Sequence, residues 1–327
     1  MMSINESVRI GLDFQDHLFV YEVCCLPILI IVHFFTFYLI IWQTPKVMYE
    51  YRKYLLMVQT LMLWWELVYH MLIRPMFFYP YMASGCTGLL SRYFGLGCHY
   101  QCCALIGTLF FILTALNSTM VYRRNQMTPP GRWKLSRAQL GAIHMTGYIF
   151  TIANIVFFIV GGGEYMNEIP FVDPRMADVT TVIYHMGTLT EIWFVILFAV
   201  VIWILLFAAL FIISIYCQLS KIKSIMNERT FELQKTFGKV LVKQLLSMVF
   251  ILVLPLTINF VAVFSESEDI TFLQTLTVVP SFFSMTYTVI LIISTPVYRN
   301  ATVAIVTGQK YQRLPRKSVS VSTIMVQ

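Results

Sequence analysis

Seven long apolar runs constrain this chain more than any other feature. Each run has 20 residues or more, and together they hold two formally charged residues, Glu66 and Arg74. A helix needs about 20 apolar residues to cross about 30 Å of hydrocarbon, and it satisfies its own backbone hydrogen bonds in lipid. The sequence therefore predicts an all-α seven-transmembrane helix bundle, with spans Val23–Trp42, Tyr54–Phe78, Phe94–Val121, Leu140–Val160, Ile192–Ile215, Leu245–Phe264 and Phe272–Ile293.

Composition excludes most soluble functions. Hydrophobic residues make up 58% of the chain and charged residues 12%, whereas soluble domains carry about 25% charged residues. No G-x-S-x-G, H-E-x-x-H or Walker motif is found in the sequence. We therefore predict no enzyme, no cofactor and no metal site. The net charge of +7 is explained by basic loops facing anionic lipid, so we predict no nucleic-acid partner.

Charge predicts the orientation of the bundle. One set of alternate loops holds nineteen of the 23 Lys and Arg residues, and the opposite set holds Arg9, Arg92 and Arg175. The positive-inside rule places the basic loops in the cytosol, the N-terminus outside and the C-terminus inside. Asn5 then begins an external glycosylation sequon. We expect a receptor domain over residues 1–300 and a cytosolic tail over 301–327.

The cysteines leave one question open. The chain has seven, and Cys86 and Cys98 lie near the predicted outer face, where a disulfide between them is possible. No cysteine spacing indicates zinc, and Cys102 and Cys103 are interpreted as packing residues in an apolar helix.

Ionisable residues in the spans are the first ligand-binding candidates. Glu66, His70 and Arg74 are spaced four residues apart, which stacks them on one helical face with Glu66 near mid-membrane. Such residues usually face a cavity or a partner, so we expect the wall of an outward-opening pocket. The alternative is a structural role, in which Glu66 is neutral or bonded within the bundle and Arg74 extends outward before Pro75. Further candidates at outer depth are His99, Gln101, Glu191, Asn259 and Gln274.

The predicted inner ends contain the switching candidates. Tyr122-Arg123-Arg124 ends the third span, and Pro296, Tyr298 and Arg299 follow the seventh. Arginines there could bind a cytosolic partner, although the positive-inside rule also places them there. Pro255 and Pro280 interrupt the sixth and seventh spans as potential hinges. Apolar spacing within 216–244 predicts that the fifth and sixth helices extend beyond the lipid.

Five segments of the sequence resemble the nematode serpentine chemoreceptors of the Str superfamily. They are Thr44-Pro45-Lys46-Val47-Met48, Arg74-Pro75-Met76-Phe77-Phe78-Tyr79-Pro80, Gly88-Leu89-Leu90-Ser91-Arg92-Tyr93-Phe94-Gly95, Tyr122-Arg123-Arg124 and Thr295-Pro296-Val297-Tyr298-Arg299-Asn300. The sequence is most similar to class I, with class H next. The resemblance implies a plasma-membrane receptor, in the sensory cilium of chemosensory neurons, that binds a small molecule and signals to a heterotrimeric G protein.

Three other functions remain open at this point. A ligand-gated channel subunit of the insect odorant-receptor type would have its N-terminus in the cytosol. A small-solute transporter is disfavoured because the spans show no internal repeat and Glu66 is the one acid within them. The third is a receptor relative that acts as a subunit or chaperone.

Overall fold

The computed structural model is a helical bundle with a small sheet at one end, and it describes residues 4–45, 48–78, 83–128, 134–161, 180–183, 188–222, 228–264 and 270–308. The first four spans correspond to α1 (Ile4–Tyr38), α2 (Tyr49–Leu67), α4 (Cys98–Met127) and α5 (Arg137–Gly161), with the short α3 (Leu89–Phe94) between α2 and α4. The last three correspond to α6 (Thr188–Ile222), α7 (Glu228–Ser247) with α8 (Leu254–Phe264), and α9 (Ile270–Val278) with α10 (Phe283–Ser294), and α11 (Pro296–Val306) follows. The strands are β1 (Pro75–Phe78), β2 (Ala83–Cys86) and β3 (Thr180–Ile183).

The predicted multi-pass helical fold is confirmed. Within the described residues, six helices are long and apolar enough to cross a membrane: Cys24–Gln43, Tyr49–Ile73, Cys98–Gln126, Arg137–Val160, Lys235–Asn259 and Phe272–Ser294. The fifth predicted span lies inside α6, where Leu205–Ser220 is a shorter apolar stretch. The helix α11 continues past residue 300, which is the predicted end of the receptor domain.

The second predicted span, Tyr54–Phe78, is too long at its C-terminal end. The helix α2 continues as a π-helical turn that ends at Ile73. Arg74 then takes a left-handed conformation with φ 47° and ψ 71°. Pro75 has no backbone N–H to donate to a helix, and the chain continues as β1 instead.

The third predicted span, Phe94–Val121, begins too early. Phe94 ends the short α3, and Gly95 closes it with a left-handed φ of 59°. Gly97 then precedes the first turn of α4 in an extended-like conformation, so the spanning helix begins at Cys98. Two glycines within three residues therefore separate what reads as one apolar run.

The helices of the fifth and sixth spans extend beyond their apolar runs. Helices α6 and α7 continue well beyond the apolar runs, as the spacing of Ile222, Phe237 and Leu241 predicts.

Between α7 and α8 lies a π-helical turn, Met248–Val253, which closely precedes Pro255. Wider winding there relieves the clash between a proline ring and the carbonyl four residues before it. Pro280 likewise lies in a 3₁₀ turn between α9 and α10.

The sheet joins the α2–α4 connection to the segment before α6. Strand β2 is central and pairs antiparallel with both β1 and β3. Pro75 lies opposite Cys86, and Cys86 lies opposite Thr180. We call this end of the bundle the sheet end, and we call the opposite end, which holds Tyr51 and Arg123, the arginine end.

Two large clusters of buried hydrophobic residues lie in the described part of the bundle. The larger one extends from the sheet end inward and includes Met62, Trp65, Cys98, Phe283 and Tyr287. The smaller cluster lies at the arginine end and unites the π-helical turn that continues α1 (Leu39–Gln43) with α2, α7, α10 and α11 through Leu39, Leu55, Val240, Leu291 and Ala301. The long axis of the core therefore connects the two ends at which ligand-binding and switching candidates were predicted.

Candidate functional site

Glu66 and His70 form a buried pair on α2. Glu66 is completely buried, and its Oε2 atom lies 3.2 Å from Nε2 of His70. The two atoms are close but not aligned as a hydrogen bond, and neither carboxylate oxygen of Glu66 has another hydrogen-bond partner among the described residues. A carboxyl group in such a setting has unused capacity to accept a hydrogen bond. Glu66 and His70 thus share one face of α2, as the four-residue spacing predicts.

Arg74 does not share that face. Because the helix ends at Ile73, Arg74 lies in the turn that leads to β1. Its guanidinium carbon lies 4.9 Å from the centroid of the Phe19 ring on α1. Its carbonyl accepts hydrogen bonds from the backbone N–H and the hydroxyl of Thr87. Arg74 therefore closes the α2–β1 turn and contacts α1, while Glu66 and His70 remain together inside the helix.

His99 and Gln101 are buried near the start of α4 but face different neighbours. His99 contacts the Ile159 carbonyl at 3.3 Å through Nε2, and its ring lies 5.4 Å from that of Phe158 on α5. Gln101 donates from Nε2 to the Leu96 carbonyl. His99 thus belongs to the α4–α5 contact, and Gln101 stabilises the turn before α4.

Asn259 and Gln274 carry unfilled hydrogen-bonding capacity at the sheet end. Asn259 lies on α8 and Gln274 on α9, and these helices pack against one another. Both side chains are buried, and neither amide has a hydrogen-bond partner among the described residues. Burying an amide without partners is costly, so these positions favour contact with a polar ligand or water. Glu191 lies on α6, but its side chain falls outside the described residues, as does that of Asn5 in the first turn of α1.

At the arginine end, Arg123 lies between aromatic rings. Its side chain is 1% exposed, and the guanidinium carbon is 3.4 Å from the centroid of the Tyr51 ring and 4.6 Å from that of Phe237. Guanidinium groups stack on aromatic faces, and this attraction grows when both partners are desolvated. The residue before Arg123 is Tyr122, so the acidic partner of rhodopsin-like receptors is absent from this triplet. We call Arg123, Tyr51 and Phe237 the arginine cage; it joins α4, α2 and α7.

The remaining switching candidates lie on α4, on α11 and in the sixth span. Tyr122 stacks on Tyr54 with ring centroids 4.4 Å apart, and Arg124 donates from Nε to the Ser214 hydroxyl on α6 at 3.2 Å. Pro296 begins α11, and Arg299 is exposed on that helix. Pro255 is buried beside the π-helical turn of the sixth span.

Tyr298 connects α11 with the segment that follows the first span. Its hydroxyl lies 2.7 Å from the hydroxyl of Thr44, which itself donates to the Ile40 carbonyl. Tyr298 is therefore the donor in this pair. Burial raises the pKa of Tyr298 to about 12, so its hydroxyl stays protonated at neutral pH and the bond persists.

Sequence reasoning missed a polar network in the centre of the bundle. Gln59 donates to Nδ1 of His33 at 2.7 Å and to the Thr288 hydroxyl at 3.3 Å. Ser284 lies 3.1 Å from Nε2 of His33 and donates to the Met62 carbonyl at 3.0 Å. The Ser284 hydroxyl donates its hydrogen to the Met62 carbonyl, so its oxygen accepts a hydrogen bond from Nε2–H of His33. His33 is therefore the neutral tautomer that carries its proton on Nε2. The network ties α1, α2 and α10 together, and no local spacing reveals it because its members come from three spans.

Three of the cysteines lie close together at the sheet end. All seven cysteines are thiols in the structure. Cys86, Cys98 and Cys102 converge, with their three Sγ atoms within 4.8 Å of one another. Cys103, by contrast, faces α5 with Phe158. The interpretation of Cys102 as a simple packing residue therefore misses its partners on β2.

The fold and these two ends define a multi-pass helical membrane protein of the receptor class. Residues 17–308 match the family described as Serpentine type 7TM GPCR chemoreceptor Srh. The chain belongs to this family, a chemosensory receptor family and not a family of enzymes. The resemblance to the Str superfamily is thereby confirmed, and the matching class is H, which the sequence analysis placed after class I. No curated protein matches the chain.

Proposed function

We propose that this chemosensory receptor binds a small molecule at the sheet end and signals to a heterotrimeric G protein at the arginine end. The proposal includes the orientation predicted from the basic loops, with the N-terminus outside the cell. It also includes residence in the plasma membrane of chemosensory neurons, in the sensory cilium. These steps rest on family membership and on the two ends described above.

The observation that carries the proposal is the arginine cage. An arginine stays charged inside proteins, and burying its charge is costly unless it is compensated. Here compensation includes two ring faces from two other helices, so it depends on how those helices pack. A shift of α7 away from α2 and α4 would remove one face and return Arg123 to water. The exposed guanidinium, with Arg299 on α11, would then present positive charge to a cytosolic partner.

The sheet end supports small-molecule binding. Glu66, Asn259 and Gln274 are buried and have hydrogen-bonding atoms that no described residue fills. A small polar or cationic molecule would form hydrogen bonds with these side chains. It would bind most tightly to the helix packing in which all three side chains can reach it. Binding of that kind shifts a pre-existing equilibrium toward the favoured packing. The π-helical turn before Pro255 lies on the span that connects Asn259 to Phe237, which makes it the proposed hinge.

A cell assay tests the proposal directly. The receptor is expressed with an N-terminal epitope tag, surface amounts are measured without permeabilisation, and a panel of odorants and pheromone-like molecules is applied. We expect at least one molecule to dissociate a co-expressed G protein in a concentration-dependent manner. Arg123→Ala should abolish the response at equal surface expression, whereas Arg137→Ala, which changes an exposed arginine at the start of α5, should leave it intact.

Other functions would give different signals in the same cells. A ligand-gated channel would produce a current that survives removal of G proteins, and a transporter would accumulate radiolabelled solute. A tag on the N-terminus that is reached only after permeabilisation would contradict the proposed orientation. Any of these results would replace the receptor proposal.

A further inference from the structure

The three clustered thiols at the sheet end come from two regular elements. In a strand, alternate residues share a face, so Ser84 and Cys86 project from the same side of β2. In a helix, residues four apart share a face, so Cys98 and Cys102 project together from the first turns of α4. These two faces meet, and the Sγ atoms of Cys98 and Cys102 lie 3.9 Å apart.

We propose that Cys86, Cys98 and Cys102 form a three-sulfur site for a soft monovalent metal ion, with copper(I) as the biological occupant. A metal–sulfur bond is about 2.3 Å long, so three sulfurs around one ion in a plane lie about 4.0 Å apart. The observed separations are 3.9 Å for one pair and at most 4.8 Å for the others. Small rotamer changes would therefore bring all three sulfurs to bonding distance of one central ion.

The donor set favours a soft ion over the common alternatives. Thiolate sulfur is a soft ligand that suits copper(I), whereas calcium and magnesium require oxygen ligands. Structural zinc takes four protein ligands, and within the described part of the chain this group contains three. Copper(I) is stable with three thiolates, and the apolar cluster around the site keeps out water.

Local electrostatics supports metal-bound thiolates. Each thiol that becomes a ligand releases its proton to solvent, and burial opposes that ionisation. Cys98 is the first residue of the 30-residue helix α4, and Cys102 is one turn further in, so the positive end of the helix dipole lies beside both sulfurs. The Ser84 hydroxyl lies 3.7 Å from Sγ of Cys98 and 3.4 Å from Sγ of Cys102, where it can donate to a thiolate. The ion adds one positive charge, and the helix dipole and the Ser84 hydroxyl oppose the negative charge that remains on the three sulfurs.

A bound ion would tie β2 to α4. Strand β2 is the central strand of the sheet, so the ion would also fix β1 and β3 relative to the helix. The rival chemistry is a disulfide between two of the three sulfurs, at about 2.05 Å, which would leave the third as a thiol. These two chemistries make opposite predictions for metal binding by the native protein.

The test uses the full-length receptor in lipid nanodiscs, under anaerobic reducing conditions. Cys24, Cys25 and Cys217 are first replaced by Ser to remove cysteines outside the buried group. Copper(I) is then titrated against a chromophoric copper(I) chelator. We expect one ion to be retained per chain, and we expect Cys102→Ser to lower the affinity by more than about a hundredfold. The matched control is Cys103→Ser, which changes the neighbouring buried thiol and should leave the affinity unchanged.

Two further measurements keep the outcome decisive. If the Cys102→Ser protein aggregates, Cys86→Ser removes a ligand from β2 instead, and X-ray absorption of the copper-loaded parent protein reports three sulfur neighbours at about 2.3 Å without any substitution in the site. Failure to retain copper, retention that survives loss of Cys102, or a coordination shell of nitrogen and oxygen would overturn the proposal. So would alkylation mapping that finds a disulfide in the native protein together with no copper binding after reduction. None of these measurements needs an agonist or a G protein, so they stand apart from the receptor proposal.

Discussion

The guanidinium of Arg123 lies over the ring of Tyr51, with 3.4 Å between the guanidinium carbon and the ring centroid. The contact joins the end of α4 to the start of α2, and Phe237 covers Arg123 from α7 at 4.6 Å. Where rhodopsin-like receptors pair this arginine with an adjacent acid, this chain has Tyr122. The buried guanidinium of Arg123 is thus stabilised by the faces of two aromatic rings, where rhodopsin-like receptors have an acidic residue in the triplet.

Tyr51→Leu should raise signalling in the absence of ligand. It removes one ring face from Arg123, and a desolvated cation–π contact contributes about 2 kcal/mol. A loss of that size would raise the ratio of open to closed receptor by more than about tenfold. The measurement is ligand-independent G-protein activation at matched surface expression. Tyr51→Phe keeps the ring and should retain low basal activity, and equal basal activity in the two variants would contradict the role of the cage.

Glu66→Gln should weaken the response to an agonist found in the cell assay. The substitution keeps the shape but removes the charge, and a hydrogen bond to a charged group contributes about 1.5–3 kcal/mol. We expect the agonist potency to fall by about tenfold to a hundredfold, without loss of surface expression. Glu50→Gln is the matched control because Glu50 lies on the same helix in an exposed pair with Lys53 at 3.3 Å. Unchanged potency in Glu66→Gln would exclude Glu66 from the ligand site.

Ser284→Ala should lower the thermal stability of the purified receptor. The hydroxyl accepts from His33 and donates to the Met62 carbonyl, and its loss leaves both groups buried without that partner. Hydrogen bonds between spanning helices contribute up to about 1–2 kcal/mol, so we expect a clear fall in Tm. Ser220→Ala removes an exposed hydroxyl that bonds the Cys217 carbonyl and should leave Tm unchanged. Equal melting of the two variants would show that the network contributes little.

Gly88→Ala should impair folding and surface expression. A Cβ atom at Gly88 would overlap the backbone carbonyl of Leu72, and backbone cannot move aside as a flexible side chain can. Gly88 also donates its N–H to the Ile73 carbonyl at 2.9 Å, which fixes α3 against the end of α2. At Gly141, on α5, a Cβ would meet open space, so Gly141→Ala should be neutral or slightly stabilising. Normal expression of Gly88→Ala, compared by surface labelling, would contradict this packing.

Hydropathy predicted the helical membrane fold because burial in lipid is a property of composition summed over a whole run. It failed at the ends of two runs, where conformation decides and composition does not. Arg74 and Gly95 adopt left-handed conformations that terminate helices, although apolar residues continue on both sides of each break. A sequence pattern that includes the dipeptide Arg74-Pro75 and the glycines at 95 and 97 could have located both breaks.

The contacts at the candidate sites also divide into those that local sequence spacing predicts and those that it does not. Spacing within one helix predicted that Glu66 and His70 would lie together, and they do. Contacts between distant segments were out of reach, because nothing local relates Tyr51 to Phe237 or His33 to Ser284. The thiol cluster combines a Ser-x-Cys pair on β2 with a Cys-x-x-x-Cys pair on α4, and only the helical pair lies in an element that the sequence predicted.

Strand β3, which precedes α6, is linked to β1 through the central strand, because both outer strands pair with β2. Met76 and Thr181 both lie opposite Gly85, on its two sides. Natural selection that reshapes one of these strands therefore alters the seating of the others. Among relatives of this receptor, substitutions in residues 75–78 and 180–183 should arise as coordinated changes, so that the two outer strands evolve as one unit.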